Sequence, residues 1–191
     1  MTVPAYLNLL KDGEFQARVK KLNKILEHCV LCPRRCKVNR AKGERGYCNT
    51  ADKPIISSYL RDFGEEKELV GRNGSGTIFF SNCNLRCVFC QNYDISHLRD
   101  GYAVSLDEFA AILIRLQESG CHNINLVTPT HFLPQIISAL DLACSAGLSV
   151  PLVWNCGGYE SLAALRLLDG VVDIYMPDVK FGDSATAARL T

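Results

Sequence analysis

Short apolar runs that alternate with helical patterns from Thr77 onward are the feature that most limits the fold of this chain. Four runs have the composition of buried strands and lie at residues 77–80, 123–127, 150–154 and 171–176. Three helical patterns separate them, at residues 105–119, 131–146 and 159–168. Such alternation predicts βαβ units with right-handed crossovers and therefore a parallel sheet.

Helix boundary signals support this division. Ser105 followed by Glu108 is a capping box, and Gly120 ends the same helical pattern. A last helix opens at Ser184, only a few residues before Thr191. Four strands do not close a barrel, so we expect the N-terminal part of a longer protein. The strand at residues 171–176 would then be an unpaired apolar edge, which promotes association.

The region before Thr77 follows a different pattern. Residues 14–28 have the apolar spacing of an amphipathic helix, and residues 29–48 have no lasting period. Residues 53–70 resemble a hairpin that turns near Phe63 and Gly64. The acidic run 64–66 favours an exposed turn, and a functional role is the alternative. We therefore expect an N-terminal helical, cysteine-rich segment at residues 1–52 and an incomplete α/β barrel at residues 53–191.

The number of cysteines points to metal. The chain has 191 residues, ten cysteines and a formal net charge of +1. No run approaches the roughly 20 apolar residues of a membrane helix, and residues 1–10 lack the features of a signal peptide. We expect a cytoplasmic protein that neither crosses a membrane nor, given its charge, binds nucleic acid. Because disulfides are rare in that compartment, clustered cysteines there favour metal sites.

Three of the cysteines form the cluster loop, residues 83–90. Cys83, Cys87 and Cys90 have the spacing C-x3-C-x2-C directly after the first predicted strand. A four-iron cluster normally takes four thiolates, so three would leave one iron open for chemistry. Two alternatives remain: a zinc site with His97 as fourth ligand, or an electron-transfer cluster with a remote fourth ligand. Three single cysteines are interpreted as small buried hydrophobic residues: Cys121, Cys144 and Cys156.

Four more cysteines form what we call the N-terminal knot: Cys29, Cys32, Cys36 and Cys48. Four thiolates can close a tetrahedral zinc site or hold a second iron–sulfur cluster, and the spacing does not decide between them. Basic residues crowd the intervening segment: Arg34, Arg35, Lys37, Arg40, Lys42 and Arg45. They favour a solvated surface; docking of an acidic electron donor, or of nucleic acid as at a zinc knuckle, are the alternatives.

The cluster loop, with an aromatic residue before its last cysteine, resembles the signature of the radical S-adenosylmethionine (SAM) superfamily. Other stretches resemble the branch of uncharacterised proteins related to the pyruvate formate-lyase activating enzyme. They are GSGTIFF at 74–80, QNY at 91–93, NIN at 123–125, TPTH at 128–131, WNCGGY at 154–159 and YMPDVK at 175–180. The resemblance covers nearly the whole chain, and it implies a partial (β/α)6 barrel.

The resemblance also implies an activity. Cys83, Cys87 and Cys90 would hold a [4Fe-4S] cluster whose open iron chelates SAM. An electron from a donor such as flavodoxin or ferredoxin would cleave SAM to a 5′-deoxyadenosyl radical that abstracts hydrogen from a protein or small-molecule substrate. A glycyl-radical protein is one substrate that the branch suggests. Methyl transfer, RNA modification and a non-catalytic electron-transfer or zinc-binding nucleic-acid module are the competing functions.

Further residues are assigned by the resemblance to the cofactor pocket. Phe89 would pack near the adenine, and Asn155, Asp178 and Lys180 are candidates for the cofactor pocket. Asp178 and Lys180 match an Asp-x-Lys segment whose aspartate, in the family, helps to hold a monovalent cation beside the cofactor carboxylate. The chain departs from true activating enzymes in two places. TPTH at 128–131 replaces a Gly-Gly-Glu-Pro-like segment, and Asn155 begins a segment that reads Asp-Thr-Asn-Gly in those enzymes. The lost charge at Asn155 puts a monovalent cation site in doubt, and both departures put the pyruvate formate-lyase substrate in doubt.

All the assigned segments follow predicted strand ends. The cluster loop follows the first strand, and residues 128–131, 155–158 and 178–180 follow the next three. In parallel α/β folds, ligands bind beyond the carboxyl ends of the strands. We therefore expect these segments to converge on one face of the sheet.

Overall fold

The computed structural model describes residues 3–191, so the first two residues of the predicted N-terminal segment lie outside it. Six strands form one sheet: β1 Ile55–Asp62, β2 Ser75–Phe80, β3 Tyr102–Ala103, β4 Ile124–Val127, β5 Leu152–Cys156 and β6 Ile174–Pro177. Their order is β3-β1-β2-β4-β5-β6. Strands β2, β4, β5 and β6 are parallel, whereas β1 is antiparallel to both β2 and β3. The predicted α/β class with a mostly parallel sheet is confirmed; closure toward a barrel stays a prediction.

Eight α-helices accompany the sheet: α1 Tyr6–Lys11, α2 Glu14–Leu26, α3 Lys67–Val70, α4 Tyr93–Ser96, α5 Leu106–Glu118, α6 Leu133–Ser145, α7 Leu162–Leu168 and α8 Ser184–Leu190. Helix α5 has the predicted capping box, with reciprocal bonds between Ser105 and Glu108. Within residues 3–191, no helix is both long and apolar enough to cross a membrane.

The hairpin predicted within residues 53–70 is wrong. Strand β1 does end at Asp62, but its antiparallel partner is β2, with Asp62 opposite Ser75 and Ile56 opposite Phe80. Helix α3 lies in the connection, at Lys67–Val70. The apolar residues Leu69 and Val70, which suggested a second arm, instead follow the turn as a short helix that buries Leu69.

The two faces of the parallel strands differ in character. One face packs against helices: Ile78, Leu126 and Trp154 belong to the hydrophobic core, and Phe80 meets Phe109 of α5 edge-on, with ring centroids 5.6 Å apart. The opposite, concave face carries two rows of paired residues. They are Thr77, Asn125 and Val153 in one row, and Phe79, Val127, Asn155 and Met176 in the other. Polar groups on this concave face are available for a ligand.

Helices α1 and α2 pack onto α6 and share the hydrophobic core of the sheet. Tyr6, Phe15 and Leu22 are fully buried in that core, and the Tyr6 hydroxyl donates to the Val150 carbonyl at 2.8 Å. The division at residue 52 stays a prediction. Strand β6 pairs only with β5 among the described residues, and Ile174 and Tyr175 are exposed, as expected of the predicted edge.

His131 makes folding stability sensitive to acid. Its pKa is lowered to about 3, chiefly by burial. The hydrogen bond to the Ser81 carbonyl opposes this shift, and the charge of the nearby Arg40 adds to it. In the unfolded chain a histidine titrates near pH 6.5. The unfolded state therefore takes up a proton first, and stability is lost as the pH falls below about 6.5. Between pH 7.5 and 5.5 we expect this residue alone to remove about 1.4 kcal/mol.

Urea unfolding of wild-type protein and His131→Gln at the two pH values measures this difference. The variant cannot titrate, so its stability should fall less on acidification by about the amount given above. His28→Gln, which changes an exposed histidine, serves as the control and should behave as the wild type. Equal acid sensitivity of His131→Gln and the wild type would contradict the assignment.

Candidate radical SAM site

A cavity of about 810 Å³ opens on the concave face, at the carboxyl ends of the parallel strands. Cys83, Cys87 and Cys90 all line it. Segments after the next three strands line it too, and they contribute Thr128, Asn155, Gly157, Asp178 and Lys180. The structure therefore brings the four predicted strand-end segments to one place, as strand parallelism requires.

The cluster loop is held by contacts to its sulphur atoms. The backbone N–H of Leu85 donates to Cys83 Sγ at 3.3 Å, and the Ser96 hydroxyl donates to Cys90 Sγ at 3.2 Å. Arg86 has a left-handed backbone, with φ of +61°, which turns the chain between the first two cysteines. Hydrogen bonds to sulphur favour the thiolate form that a cluster ligand must have.

The electrostatics of the loop show that the thiols face one another. Burial raises the pKa of both Cys83 and Cys87, and the neighbouring Cys90 raises each further. The charge of Lys180 lowers the pKa of both thiols, because its ammonium group lies near their sulphur atoms. The pKa of Lys180 is itself raised: desolvation opposes its charge, but the contact with Asp178 and the charges of Cys87 and Cys90 outweigh that. Three converging thiols and one cation fit an anionic cluster.

The three thiols of the cluster loop line one cavity without meeting at a single point. Within residues 3–191, no three Cys, His, Asp or Glu side chains converge on a point that one metal ion could occupy. A four-iron cluster does not require such a point, because each thiolate binds a different iron. The alternative fourth ligand, His97, uses Nδ1 for Ser96 at 2.8 Å and Nε2 for the Arg86 carbonyl at 3.0 Å. His97 therefore does not join the three cysteines.

The residues assigned to the cofactor pocket occupy different environments. Asn155 lies on the concave face, beside Val127 and Met176. Asp178 and Lys180 form an ion pair at the cavity edge. Phe89 is 53% exposed and meets Phe181 edge-on at 5.7 Å. These positions are compatible with a cofactor seated between the cluster loop and the last two strand ends.

One predicted feature of the strand ends comes out differently. Thr128 lines the cavity with a left-handed backbone, φ +57°, but His131 is buried under the Ser81 carbonyl, 2.9 Å from it. His131 is therefore buried in the core and does not line the cavity. The three single cysteines are all buried, as predicted, although Cys156 also borders the cavity.

The sequence does not predict that Asp62 and Asn82 line the cavity, and it favours an exposed turn over a functional role for Glu65 and Glu66, which line the cavity as well. The acidic run was assigned to an exposed turn, yet Glu65 is partly buried and borders the same cavity as the cysteines. The error follows from the wrong hairpin, since pairing of β1 with β2 carries the following loop to the concave face. No signal in the local sequence indicates that pairing.

The N-terminal knot gathers its four cysteines around a void of about 20 Å³. Cys29 and Cys48 are buried, whereas Cys32 and Cys36 are partly exposed. Tyr47 N–H donates to Cys36 Sγ at 3.3 Å. A Cβ on Gly46 would lie only 2.7 Å from Cys36 Cβ, so the close approach there requires glycine. The knot is thus folded tightly around its thiols.

The basic surface of the knot is smaller than the sequence count suggests. Arg40 is 1% exposed and donates from Nε and one Nη to the Ala51 carbonyl, at 3.1 and 2.9 Å. Arg34 is also turned inward. The basic residues left exposed are Arg35, Lys37, Lys42 and Arg45.

Arg34 links the knot to the cluster loop. Its Nε donates to the Asn84 carbonyl at 3.2 Å, and one Nη donates to the Leu85 carbonyl at 3.4 Å. Its guanidinium lies 3.9 Å from the ring centre of Tyr47, whose hydroxyl also donates to the Leu85 carbonyl, at 3.2 Å. Asn84 completes the link, because its side chain faces Cys32 and its Nδ2 donates to the Tyr159 carbonyl. The backbone between Cys83 and Cys87 is therefore fixed by the knot.

Comparison with known proteins identifies the family. Residues 77–190 match the model of the radical SAM superfamily, which is more than half of the chain. The chain belongs to the radical SAM superfamily. A radical SAM domain implies a [4Fe-4S] cluster and SAM.

One curated relative is an uncharacterised protein from Methanocaldococcus jannaschii. It is 34% identical over 194 residues, which cover 97% of this radical SAM chain and 55% of the relative. The chain therefore spans about half the length of the relative that it matches. The alignment extends over the N-terminal knot as well as the matched domain, because it covers almost all of the chain. No solved structure matches this radical SAM chain.

Proposed function

We propose that this chain carries the active site of an enzyme in which Cys83, Cys87 and Cys90 hold the [4Fe-4S] cluster and the cavity holds SAM and substrate. The observation that carries the proposal is the convergence of three thiols and three strand-end segments on one cavity. When bound, the cluster supplies the electron that cleaves SAM into methionine and a 5′-deoxyadenosyl radical, which removes hydrogen from the substrate. We expect the enzyme to work in a reducing compartment, the cytoplasm.

The residues around the thiols have separate tasks in this proposal. Lys180 partly offsets the negative charge of the thiolates, and Asp178 holds Lys180 in place. We infer that Lys180, paired with Asp178, takes the place of a monovalent cation there. With SAM bound, the Asn155 amide on the concave face would hydrogen-bond the cofactor, and the packed Phe89–Phe181 pair would offer an apolar surface for the adenine.

The fit of the cavity to SAM can be tested without knowing the substrate. Anaerobically reconstituted, reduced protein should give a paramagnetic signal of a reduced four-iron cluster. Addition of SAM should shift that signal, because SAM binds the iron that the protein leaves open. A signal that SAM does not change would favour a closed electron-transfer cluster and contradict the proposal.

For the N-terminal knot, we propose a second iron–sulfur cluster. All four cysteines of the knot line one void of about 20 Å³. Four thiolates around one void are a complete ligand set for such a cluster. The exposed basic residues beside it suit an acidic electron donor such as flavodoxin or ferredoxin.

Activation of a glycyl-radical protein is a narrower hypothesis. It rests on the resemblance of the strand-end motifs to the pyruvate formate-lyase activating enzyme branch and on no contact in the cavity. A protein substrate in general suits the open concave face, which a large partner could reach. The reaction that we propose is therefore hydrogen abstraction from a substrate, without restriction to glycyl-radical proteins.

The link through Arg34 gives a prediction about positioning. Arg34→Ala removes both donors to the carbonyls of Asn84 and Leu85, and hydrogen bonds from a charged group are among the stronger ones. We expect about tenfold slower 5′-deoxyadenosine formation and a broadened SAM-shifted signal. Arg34→Lys keeps the charge but not the fork, so it should restore little.

Arg35→Ala is the matched control, since Arg35 is exposed and adjacent in sequence, and reduction by a chemical reductant keeps donor docking out of the assay. It should leave both readouts as in the wild type. If Arg34→Ala gives the same signal width and the same rate as Arg35→Ala, the knot does not position the cluster loop.

A further inference from the structure

The loop after β1 carries three carboxylates to the cavity that holds the cluster cysteines. Asp62, Glu65 and Glu66 border that cavity. Asp62 pairs with Ser75, at the start of β2, whereas the cluster loop follows Phe80, at the end of β2. The carboxylates therefore lie at the far end of the concave face from the thiols, along the length of one strand.

This acidic end of the cavity has no cationic partner in residues 3–191. The ion pairs of residues 3–191 join Arg18 to Glu14 and Lys180 to Asp178, and neither involves Asp62, Glu65 or Glu66. Burial raises the pKa of Glu65, and the charge of Asp62 raises it further. A partly buried carboxylate among like charges is stabilised by a bound cation.

Independent evidence for a ligand comes from the sheet beneath the loop. Asn125 and Thr77 are paired on the concave face and are both 0% exposed. Neither amide atom of Asn125 nor the Thr77 hydroxyl has a hydrogen-bond partner. The Asn125 amide faces Glu65 closely enough to lower its pKa, although the pair does not reach hydrogen-bond geometry. Unpaired buried polar groups are rare, and a bound molecule commonly satisfies them.

We propose that Glu65 and Asp62, which border the cavity near the unpaired Asn125, bind an ammonium or guanidinium group of the substrate. A cationic donor satisfies both carboxylates, and charge-assisted hydrogen bonds of this kind are strong in a partly buried site. A metal ion suits the site less well, because no three acidic side chains of the described chain converge on one point. The proposal rests on the proposed function, since it takes the cavity to be the substrate's.

The test uses two capped amino acids that differ in one group. N-acetyl-lysine methylamide carries an ammonium, and N-acetyl-norleucine methylamide is its neutral counterpart. Binding of each to reconstituted protein, with and without SAM, is measured by calorimetry at low salt. The lysine compound should bind at least about tenfold more tightly, and Glu65→Gln should remove most of that preference. Glu68→Gln is the matched control, because Glu68 is exposed on α3 and does not border the cavity.

The outcomes separate this inference from the function on which it rests. A preference for the lysine compound that Glu65→Gln removes and Glu68→Gln keeps supports the site. Equal binding of the two compounds, or equal effects of the two variants, overturns it. The SAM-dependent paramagnetic signal is recorded on the same samples, and its loss would instead count against the proposed function. Retention of that signal in Glu65→Gln also shows that the variant is folded.

Discussion

Cys87→Ala is expected to abolish the SAM-dependent paramagnetic signal and to reduce 5′-deoxyadenosine formation to background. Cys87 is the central cysteine of the loop and is buried, so no other thiol can take its place without moving the loop. With two thiolates left, a four-iron cluster has too few ligands to persist. We expect about four fewer iron atoms per chain, measured by metal analysis of anaerobically reconstituted protein.

Cys121→Ala is the control for that experiment. Cys121 is also buried, but it does not border the cavity, so its removal tests the loss of a buried thiol alone. Iron content and signal should equal those of the wild type. A SAM-sensitive signal that survives in Cys87→Ala would show that the cluster has other ligands.

The second large effect concerns the N-terminal knot. A triple variant, Cys83→Ala with Cys87→Ala and Cys90→Ala, should keep about four iron atoms and about four sulphides per chain. These would be bound by Cys29, Cys32, Cys36 and Cys48, whose placement around the void does not depend on the cluster loop thiols. The signal of this centre should not respond to SAM, because four thiolates leave no iron open.

The reciprocal variant completes the comparison. Cys36→Ala should lose the SAM-insensitive iron and keep the SAM-sensitive signal. One zinc and no iron in the triple variant would assign the knot to zinc, and folded protein without metal would show that the four cysteines are structural only. Either result contradicts the proposed second cluster.

The parallel part of the fold could be predicted because its signals are local. Each strand of β2, β4, β5 and β6 is a short apolar run bounded by a glycine or a cap, and Ser105 and Glu108 fix the start of α5 by contacts three residues apart. The site followed from the same pattern. Once the strands are parallel, their carboxyl ends and the cluster loop must share one edge of the sheet.

The parts that escaped prediction depend on contacts between distant residues. Asp62 pairs with Ser75 although a turn and helix α3 lie between them in the sequence. This pairing places the loop with Glu65 at the cavity. The burial of Arg40, which removes it from the basic surface, depends on the Ala51 carbonyl within a loop that has no regular period. Likewise, only the packing of Ser81 against His131 shows that this histidine belongs to the core.

The central claim is that the three thiols of this chain direct the cleavage of SAM. Chemically reduced, anaerobically reconstituted protein is incubated with SAM alone, and 5′-deoxyadenosine and methionine are quantified by mass spectrometry against a sample kept oxidised. We predict that the reduced sample yields both products in equal amounts, and that the oxidised sample and Cys87→Ala yield neither product. Intact SAM after incubation with a fully loaded, reduced cluster would contradict it.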